Sequence, residues 1–401
     1  MQFFAPKRIS YSPCNHGKIV VWGMMGHSPF GGMVWQVLHY LIGLRRLGFD
    51  VWYVEDSDEL VYDPISFDLS SGCETNVARL GEVMDSVGLG DRWVFRLPMT
   101  ESCRGSLDEK GLDRLYAECD AAFNLCGAQE LRERHDVIPR RVYVETDPVL
   151  IQVAVAMGNQ RLTDKLDRYD FLFTYGENLG ADDCLVPLKR FDWKKTRPPV
   201  CLDLWATDES PGPDAHLTSI ANWKHSGKDI QWQGSTWRWS KHHNFLRFID
   251  IPAAAALTIE LAVGAISKSE RDLLEECGWL TSNSDRLDSP DAYCRFIRQS
   301  CGEFTVAKEQ YVAPRSGWFS DRSVCYLATG RPVVTQSTAF EKYIPTGEGL
   351  YAFETRQQAL DAIQSIADDY PRHSRAASEI AREFFGADKV LARMLIDVGL
   401  L

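Results

Sequence analysis

The chain has 401 residues, long for a single hydrophobic core and enough for two domains of about 200 residues each. Its hydrophobic fraction of 45% and charged fraction of 25% exclude a disordered or fibrous chain. A net charge of −12 argues against a broad nucleic-acid or anionic-membrane surface and leaves room only for local basic patches.

The eleven cysteines are scattered and form no Cys-x-x-Cys, so neither a zinc site nor a redox pair is signalled. Reduced thiols in a cytoplasmic protein are the expectation. The N-terminus shows no basic region followed by a long apolar run, and the apolar run 251–266 is interrupted by Pro252, Glu260 and Gly264. Neither a signal peptide nor a membrane span is therefore expected.

Residues 18–22 read as a buried strand. The loop from Gly23 to Gly32 follows, then a helix with Val34, Val37, Leu38, Leu41 and Leu44 on one side and a glycine stop at Gly48. With a second strand at 50–55 this is a βαβ opening whose glycine-rich loop lies at a strand's carboxyl end, where open α/β sheets bind ligands. The spacing is not Gly-x-Gly-x-x-Gly, so no dinucleotide fingerprint is present. Gly31 and Gly32 either let the helix pack closely or admit an acceptor into a cleft. His27 is the titratable group of this loop.

Helices are expected near 74–87 and 107–119. Asp56-Ser57-Asp58 fits an Asp-x-Asp metal pattern, which is short enough to arise by chance. Strands at 121–125 and 141–144 follow, and the second runs into Glu145-Thr146-Asp147-Pro148. One of these carboxylates could act as a general base if burial holds its pKa up. Alternatively, Asp147 caps a helix at 149–157. A strand at 171–175 ends in Gly176-Glu177-Asn178, which places Glu177 at the same edge.

The Pro/Gly/Asp-rich segment around 207–215 reads as a linker between domains at 1–206 and 216–401. A strand at 216–221 opens the second half. The island 222–244 then mixes Trp223, Trp232, Trp237 and Trp239 with Lys224, Lys228, Arg238 and Lys241. Three readings stay open: tryptophan packing, a diphosphate held by Arg238 and Lys241, or single-stranded nucleic acid. His242-His243 lacks the i, i+4 spacing of a helical metal pair. A strand at 256–263, helices at 267–277 and 289–300, and a strand at 303–308 ending in Lys308 come next.

The segment 315–335 is a Gly/Ser turn, a short helix, a Gly-Arg-Pro stop and an apolar strand. Ser320 or Asp321 is placed to cap that helix, whose unpaired N–H groups and dipole make an anion site. Ser316 lies in the turn, while Arg322 and Ser323 add a cation and a hydroxyl. The alternative is an ordinary loop–helix–strand unit. A strand at 349–353, a capping box at Thr355/Gln358 and helices at 371–384 and 388–398 close the chain.

Leu327-Ala-Thr-Gly-Arg-Pro-Val-Val334 with Thr338-Ala-Phe-Glu341 resembles the Ala-x-Gly-x-Pro-Val-Val element of glycosyltransferases with the glycosyltransferase-B fold. The strings 239–242, 303–308 and 316–323 are similar to a bacterial, group 1-like branch of these enzymes, as are Phe30-Gly-Gly32, 44–48, 146–148 and 176–178. The resemblance implies two Rossmann-like α/β domains facing a cleft, with the final helices crossing back to the first domain. It further implies sugar transfer from a nucleotide-diphosphate donor to a hydroxyl acceptor, with no cofactor and no metal. Arg238, Lys241, Lys308, Ser316, Ser320, Asp321, Arg322 and Ser323 would hold the donor. Glu145, Glu177, Gly31 and Gly32 would line the acceptor side, and Asp147, or else His27, would be the base. Many such enzymes carry two glutamates eight positions apart, and the matching positions here are Gly317 and Cys325. A sugar-nucleotide epimerase of the same fold and a non-catalytic nucleotide-sugar or nucleic-acid binder are the rivals.

Overall fold

The computed structural model describes residues 9–62, 69–70, 72–207, 209, 211 and 215–401. Residues 208, 210 and 212–214 of the expected linker lie outside the described residues. The first half builds an eight-stranded sheet around the opening strands Lys18–Trp22 and Asp50–Glu55. On one side of Lys18–Trp22 run Ala121–Leu125, Arg141–Glu145, Phe171–Thr174 and Trp193–Lys195, and beyond Asp50–Glu55 lie Trp93–Arg96 and Cys103–Gly105. All pairings are parallel except the last, which makes an antiparallel edge. The central strands are almost wholly apolar because helices cover both faces, as parallel sheets require.

The second half forms a six-stranded parallel sheet in the order Leu280–Ser282, Ile259–Gly264, Leu217–Asn222, Gly302–Thr305, Val333–Gln336 and Leu350–Phe353. The strand expected at 256–263 begins three residues late, after a short helical turn at Pro252–Ala254. The strand expected at 303–308 stops at Thr305, and Lys308 instead starts the short helix Glu309–Val312. The capping boxes at Ser267/Glu270 and Thr355/Gln358 form.

Two seams join the halves. Along the first, the helix Gly31–Arg46 packs on Pro290–Gln299, Asp321–Ala328 and the final helix Ala387–Asp397. One continuous apolar core therefore contains Val34 and Trp35 together with Tyr293, Phe319 and Leu391. Gly43 permits this approach, since a Cβ there would lie 2.4 Å from Leu391. The chain crosses back at Val200, whose N–H donates to the Phe385 carbonyl (2.8 Å).

The second seam was not legible as such in the tryptophan island. Ile230–Trp232 and Ser235–Trp237 pair as a hairpin about Gln233-Gly234, both with positive φ as a tight two-residue turn needs. Ile230 and Trp237 pack with Tyr311 against Val149, Val153 and Leu179 of the first half.

The turn 315–318 lies between the seams. Asn178 N–H donates to the Ser316 carbonyl (3.1 Å), and Asn178 Nδ2 donates to the Arg315 carbonyl (2.8 Å). Gly317 has φ +76°, and a Cβ there would sit 2.3 Å from the Asn178 backbone nitrogen. Gly317→Ala combines a left-handed strain with a backbone clash, so a loss of more than about 1 kcal/mol is expected in denaturant unfolding.

Candidate functional site

The carboxyl ends of both sheets face the space between the seams, and that is where the expected donor residues gather. Lys308 Nζ lies 3.2 Å above the Trp239 ring and 2.9 Å from Asp147 Oδ1 of the opposite half. Lys228 Nζ approaches the same indole at 4.7 Å, so Trp239 carries two ammonium groups on its π-system. Lys241 stands at the start of the short helix His242–Arg247, where its carbonyl accepts from Asn244 and Phe245 N–H, while its ammonium makes no hydrogen bond or ion pair to a described residue. Burial and the charges of Arg322 and Lys308 hold its ammonium well below the usual lysine range. Lys241, Lys308 and Arg322 thus lie within electrostatic reach of one another, with Lys228 beside the same indole as Lys308.

Arg322 is fixed from below. Its Nε donates to Glu303 Oε1 (2.6 Å), Nη1 to the Ile220 carbonyl (2.5 Å) and Nη2 to Thr305 Oγ1 (2.9 Å). A guanidinium has five N–H groups, and three are accounted for by these bonds. Glu303 Oε2 and Ser323 Oγ are buried without a hydrogen-bond partner among the described residues. Ser320 occupies the cap position of Asp321–Ala328, yet its side chain makes no cap bond. Asp321 is not the cap but the first helical residue, and its Oδ2 accepts from Gln36 Nε2 across the seam (3.1 Å). Desolvation, helped by the charge of Asp147, pushes the Asp321 carboxyl up to about 7 against the Gln36 hydrogen bond.

Other expected donor residues have structural partners. Ser316 Oγ donates to the Tyr311 carbonyl (3.2 Å) inside the seam. Arg238 sits at the rim, where its backbone N–H donates to Glu309 Oε2 (3.1 Å). Gly330 and Arg331 of the family-like element serve packing. A Cβ at Gly330 would meet Ser378 at 2.9 Å, and Arg331 Nη2 donates to the Arg298 carbonyl at the end of a helix (2.7 Å). Gly317 and Cys325 have a steric explanation: the first abuts Asn178, and Cys325 is buried 4.0 Å from His39 Nε2.

On the first half, Asp147 does not cap the helix Leu150–Ala156; the cap position is Val149, a buried β-branched residue at φ +94°. A φ of that sign on valine is an outlier that only the surrounding structure can hold. The Asp147 carboxylate is 49% exposed, accepts from Tyr311 OH and pairs with Lys308. Desolvation opposes its ionisation, but Lys308 and the Tyr311 hydroxyl hold it below the usual carboxylate range. The raised pKa expected of a base here belongs to Glu145 instead. Burial pushes Glu145 up to about 8, against hydrogen bonds donated to its Oε2 by Thr174 Oγ1 and Gln152 Nε2 (2.7 Å each).

Glu177 is engaged by Arg197 in a two-point pair (2.8 Å each). Gly31 is buried against the other half, and Gly32 is partly exposed beside it. A Cβ on Gly31 would meet Tyr293 at 2.7 Å and the Ser289 carbonyl at 2.8 Å, and one on Gly32 would touch the Tyr293 ring at 3.4 Å. The packing alternative therefore describes both, against a helix of the other half rather than the adjacent strand.

The glycine-rich loop is closed on a carboxylate. Glu55 Oε1 accepts from Gly26 N–H (2.5 Å) and Tyr53 OH, while Oε2 accepts from His27 N–H (2.9 Å) and His27 Nδ1. The amides that could have cradled a phosphate are thus already paired. Asp56 and Asp58 both bind Arg96 and Arg132, and Asp56 also meets His135 Nε2 (3.1 Å). Among the described residues no group of three or more His, Cys, Asp or Glu is arranged to hold a metal, and no helix is long and apolar enough to cross a membrane. Trp239, Tyr311, Gln36 and Glu55 were not singled out from sequence as site residues. Trp239 had a visible signal in its lysine-rich surroundings, but the others depend on partners more than 25 positions away.

No family model matches the chain, and no curated protein matches it either. Solved structures do. An alpha-glucosyltransferase in complex with UDP and a 13-mer DNA containing an HMU base superposes with a TM-score of 0.59 at 11% identity, covering 96% of this chain and 99% of that one. Anabaena Alr3699/HepE in complex with UDP and glucose gives 0.52 at 13% identity, covering 96% and 100%. AviGT4, a glycosyltransferase involved in avilamycin A biosynthesis, gives 0.53 at 12%, covering 96% and 97%. The fold is the glycosyltransferase-B fold over nearly the whole chain.

Glu145 also sets a pH dependence. Its folded-state pKa is raised, so the folded protein binds the extra proton, and stability present below the ordinary 4.5 is lost as pH rises through about 8. Glu145→Gln removes this term, and the fall in denaturation midpoint between pH 5 and pH 9 should shrink relative to the parent.

Proposed function

We propose that the protein is a glycosyltransferase that transfers a sugar from a nucleotide-diphosphate donor to a hydroxyl-bearing acceptor. The observation that carries this reading is the convergence of Lys241, Lys308 and Arg322 at the second sheet's carboxyl edge, with the Lys241 ammonium making no hydrogen bond or ion pair to a described residue. Like charges in a desolvated place repel, and a site that keeps three of them together suits a di-anion. As the glycosidic bond breaks, the departing nucleoside diphosphate gains charge, and preorganised cations stabilise that charge most where water is excluded. The opening of Asp321–Ala328 adds backbone N–H groups, and Ser323 adds an unpartnered hydroxyl. Cations of this kind supply the leaving-group stabilisation that a divalent metal gives elsewhere, so the proposal includes no metal and no cofactor.

In this reading Asp147 is an anionic placeholder. Its carboxylate satisfies Lys308 across the cleft, and a donor diphosphate competes with it for the same ammonium. The fold's known members that bind UDP, and the one solved with glucose, support a nucleotide-sugar donor for this chain.

Calorimetric titration with UDP and UDP-glucose tests the proposal. Lys241→Met and Lys308→Met should each weaken binding about tenfold or more, the loss of one charge-assisted contact of ~1.4 kcal/mol or greater. Asp147→Asn should tighten it by releasing Lys308. Affinity unchanged in both lysine variants would remove the diphosphate site.

A further inference from the structure

Of the four tryptophans in the island 222–244, three pack in the core. Trp223 belongs to the apolar cluster of the second half, and Trp237, with Trp232 packed against it, belongs to that of the second seam. Trp239 lies in none of the apolar clusters formed by the described residues. Its indole meets charge instead: Lys308 Nζ stands 3.2 Å and Lys228 Nζ 4.7 Å from the ring centroid. An aromatic ring placed on ammonium groups rather than on hydrocarbon serves those cations more than it serves packing.

The backbone sets this placement. Lys228 and Trp239 stand at the two feet of the hairpin Ile230–Trp232 and Ser235–Trp237, and Trp239 N–H donates to Asp229 Oδ1 (2.9 Å). Gln310 is buried two residues beyond Lys308, and its Nε2 donates to the carbonyls of Lys228 and Trp237. Its own N–H donates to the Arg238 carbonyl (3.3 Å). One residue thus ties both feet of the hairpin to the helix that Lys308 starts.

Two partners of different kinds hold the Lys308 ammonium. Asp147 pairs with it at 2.9 Å and compensates its charge. The indole attracts a cation through its ring quadrupole and leaves the positive charge in place. Lys228 makes no hydrogen bond or ion pair to a described residue beyond its backbone, and its charge reaches both Lys308 and Asp147. Without the ring, repulsion between these ammonium groups would turn their flexible stems toward water.

The geometry points to Trp239 as a positioning residue of the donor site, whose ring holds Lys308 without cancelling its charge, and to Lys228 as a further cation for the diphosphate. This rests on the glycosyltransferase reading and completes its donor half. The entering diphosphate replaces Asp147 as the anionic partner of Lys308, and Lys228 adds charge from the hairpin side.

The test is calorimetric titration with UDP. Trp239→Leu should weaken binding about tenfold, the order of a desolvated cation–π contact. Trp239→Phe keeps a π face and should weaken it about threefold or less. Lys228→Met should weaken it about fivefold with the indole intact. In a Lys308→Met background the loss caused by Trp239→Leu should shrink to about threefold or less, since the ring then has one cation fewer to hold. An indole that only packs costs the same in both backgrounds. Circular dichroism checks folding, and Trp239→Met, which keeps apolar bulk without a π face, repeats the measurement in case Trp239→Leu unfolds. Overturning results are parental affinity in Trp239→Leu or Lys228→Met, Trp239→Phe as weak as Trp239→Leu, or an equal loss in both backgrounds. Any of these, with UDP bound by the parent, removes the inference and leaves the glycosyltransferase reading standing. A parent that binds neither UDP nor UDP-glucose defeats that reading, and the inference with it.

Discussion

Lys308 reaches from one half of the molecule to Asp147 of the other, and much of the site is arranged about that contact. The lysine is held on an indole, Tyr311 supports the same carboxylate, and the turn presenting Asp147 keeps a valine at φ +94°. Such a pair is weak evidence of stability, because taking both charges out of water offsets their attraction. Its more informative consequence concerns Lys241 and Arg322, which must lie near Lys308 with less compensation. Arg322 has Glu303 beneath it; the Lys241 ammonium has no such partner among the described residues. On the proposed reading, an anion entering between the seams would meet cations already held in place.

The two seams explain why the departures from the glycosyltransferase pattern are tolerated. Position 317 cannot carry a side chain while Asn178 stands 2.3 Å from its would-be Cβ, and position 325 lies within the core shared by both halves. Glutamates at these places would be buried against protein. Asp321, held by Gln36 of the other half, is a carboxyl whose pKa of about 7 lets it either donate or accept a hydrogen bond near neutrality.

The fold was legible wherever a pattern was local. Alternation of buried strands with one-sided helices located Lys18–Trp22 and Ala121–Leu125 to the residue, and the Thr355/Gln358 capping box marked a helix start. Short edges were not legible: Trp193–Lys195 and Leu280–Ser282 have three residues each and are strands only because a neighbour pairs with them. The site followed the same division. The positions of Lys241, Lys308 and Arg322 at element ends could be read because each follows a strand or opens a helix. The roles of Glu145 and Asp147 could not, since what separates them is burial beside Thr174 and Gln152 for one and a lysine 161 positions away for the other. Gly31 and Gly32 signalled a close approach correctly, but sequence carries no sign of what approaches.

The central claim is that the unpaired Lys241 ammonium and its neighbours receive a diphosphate. A bound di-anion raises the lowered pKa of Lys241, so binding must take up protons as pH approaches the lysine's titration range. The direct measurement is calorimetry of UDP and of uridine across pH 6 to 10 in buffers of differing ionisation enthalpy. The predicted result is UDP binding with net proton uptake, and uridine binding far more weakly with none. Equal affinity for the two, or UDP binding with no proton exchanged, would contradict it.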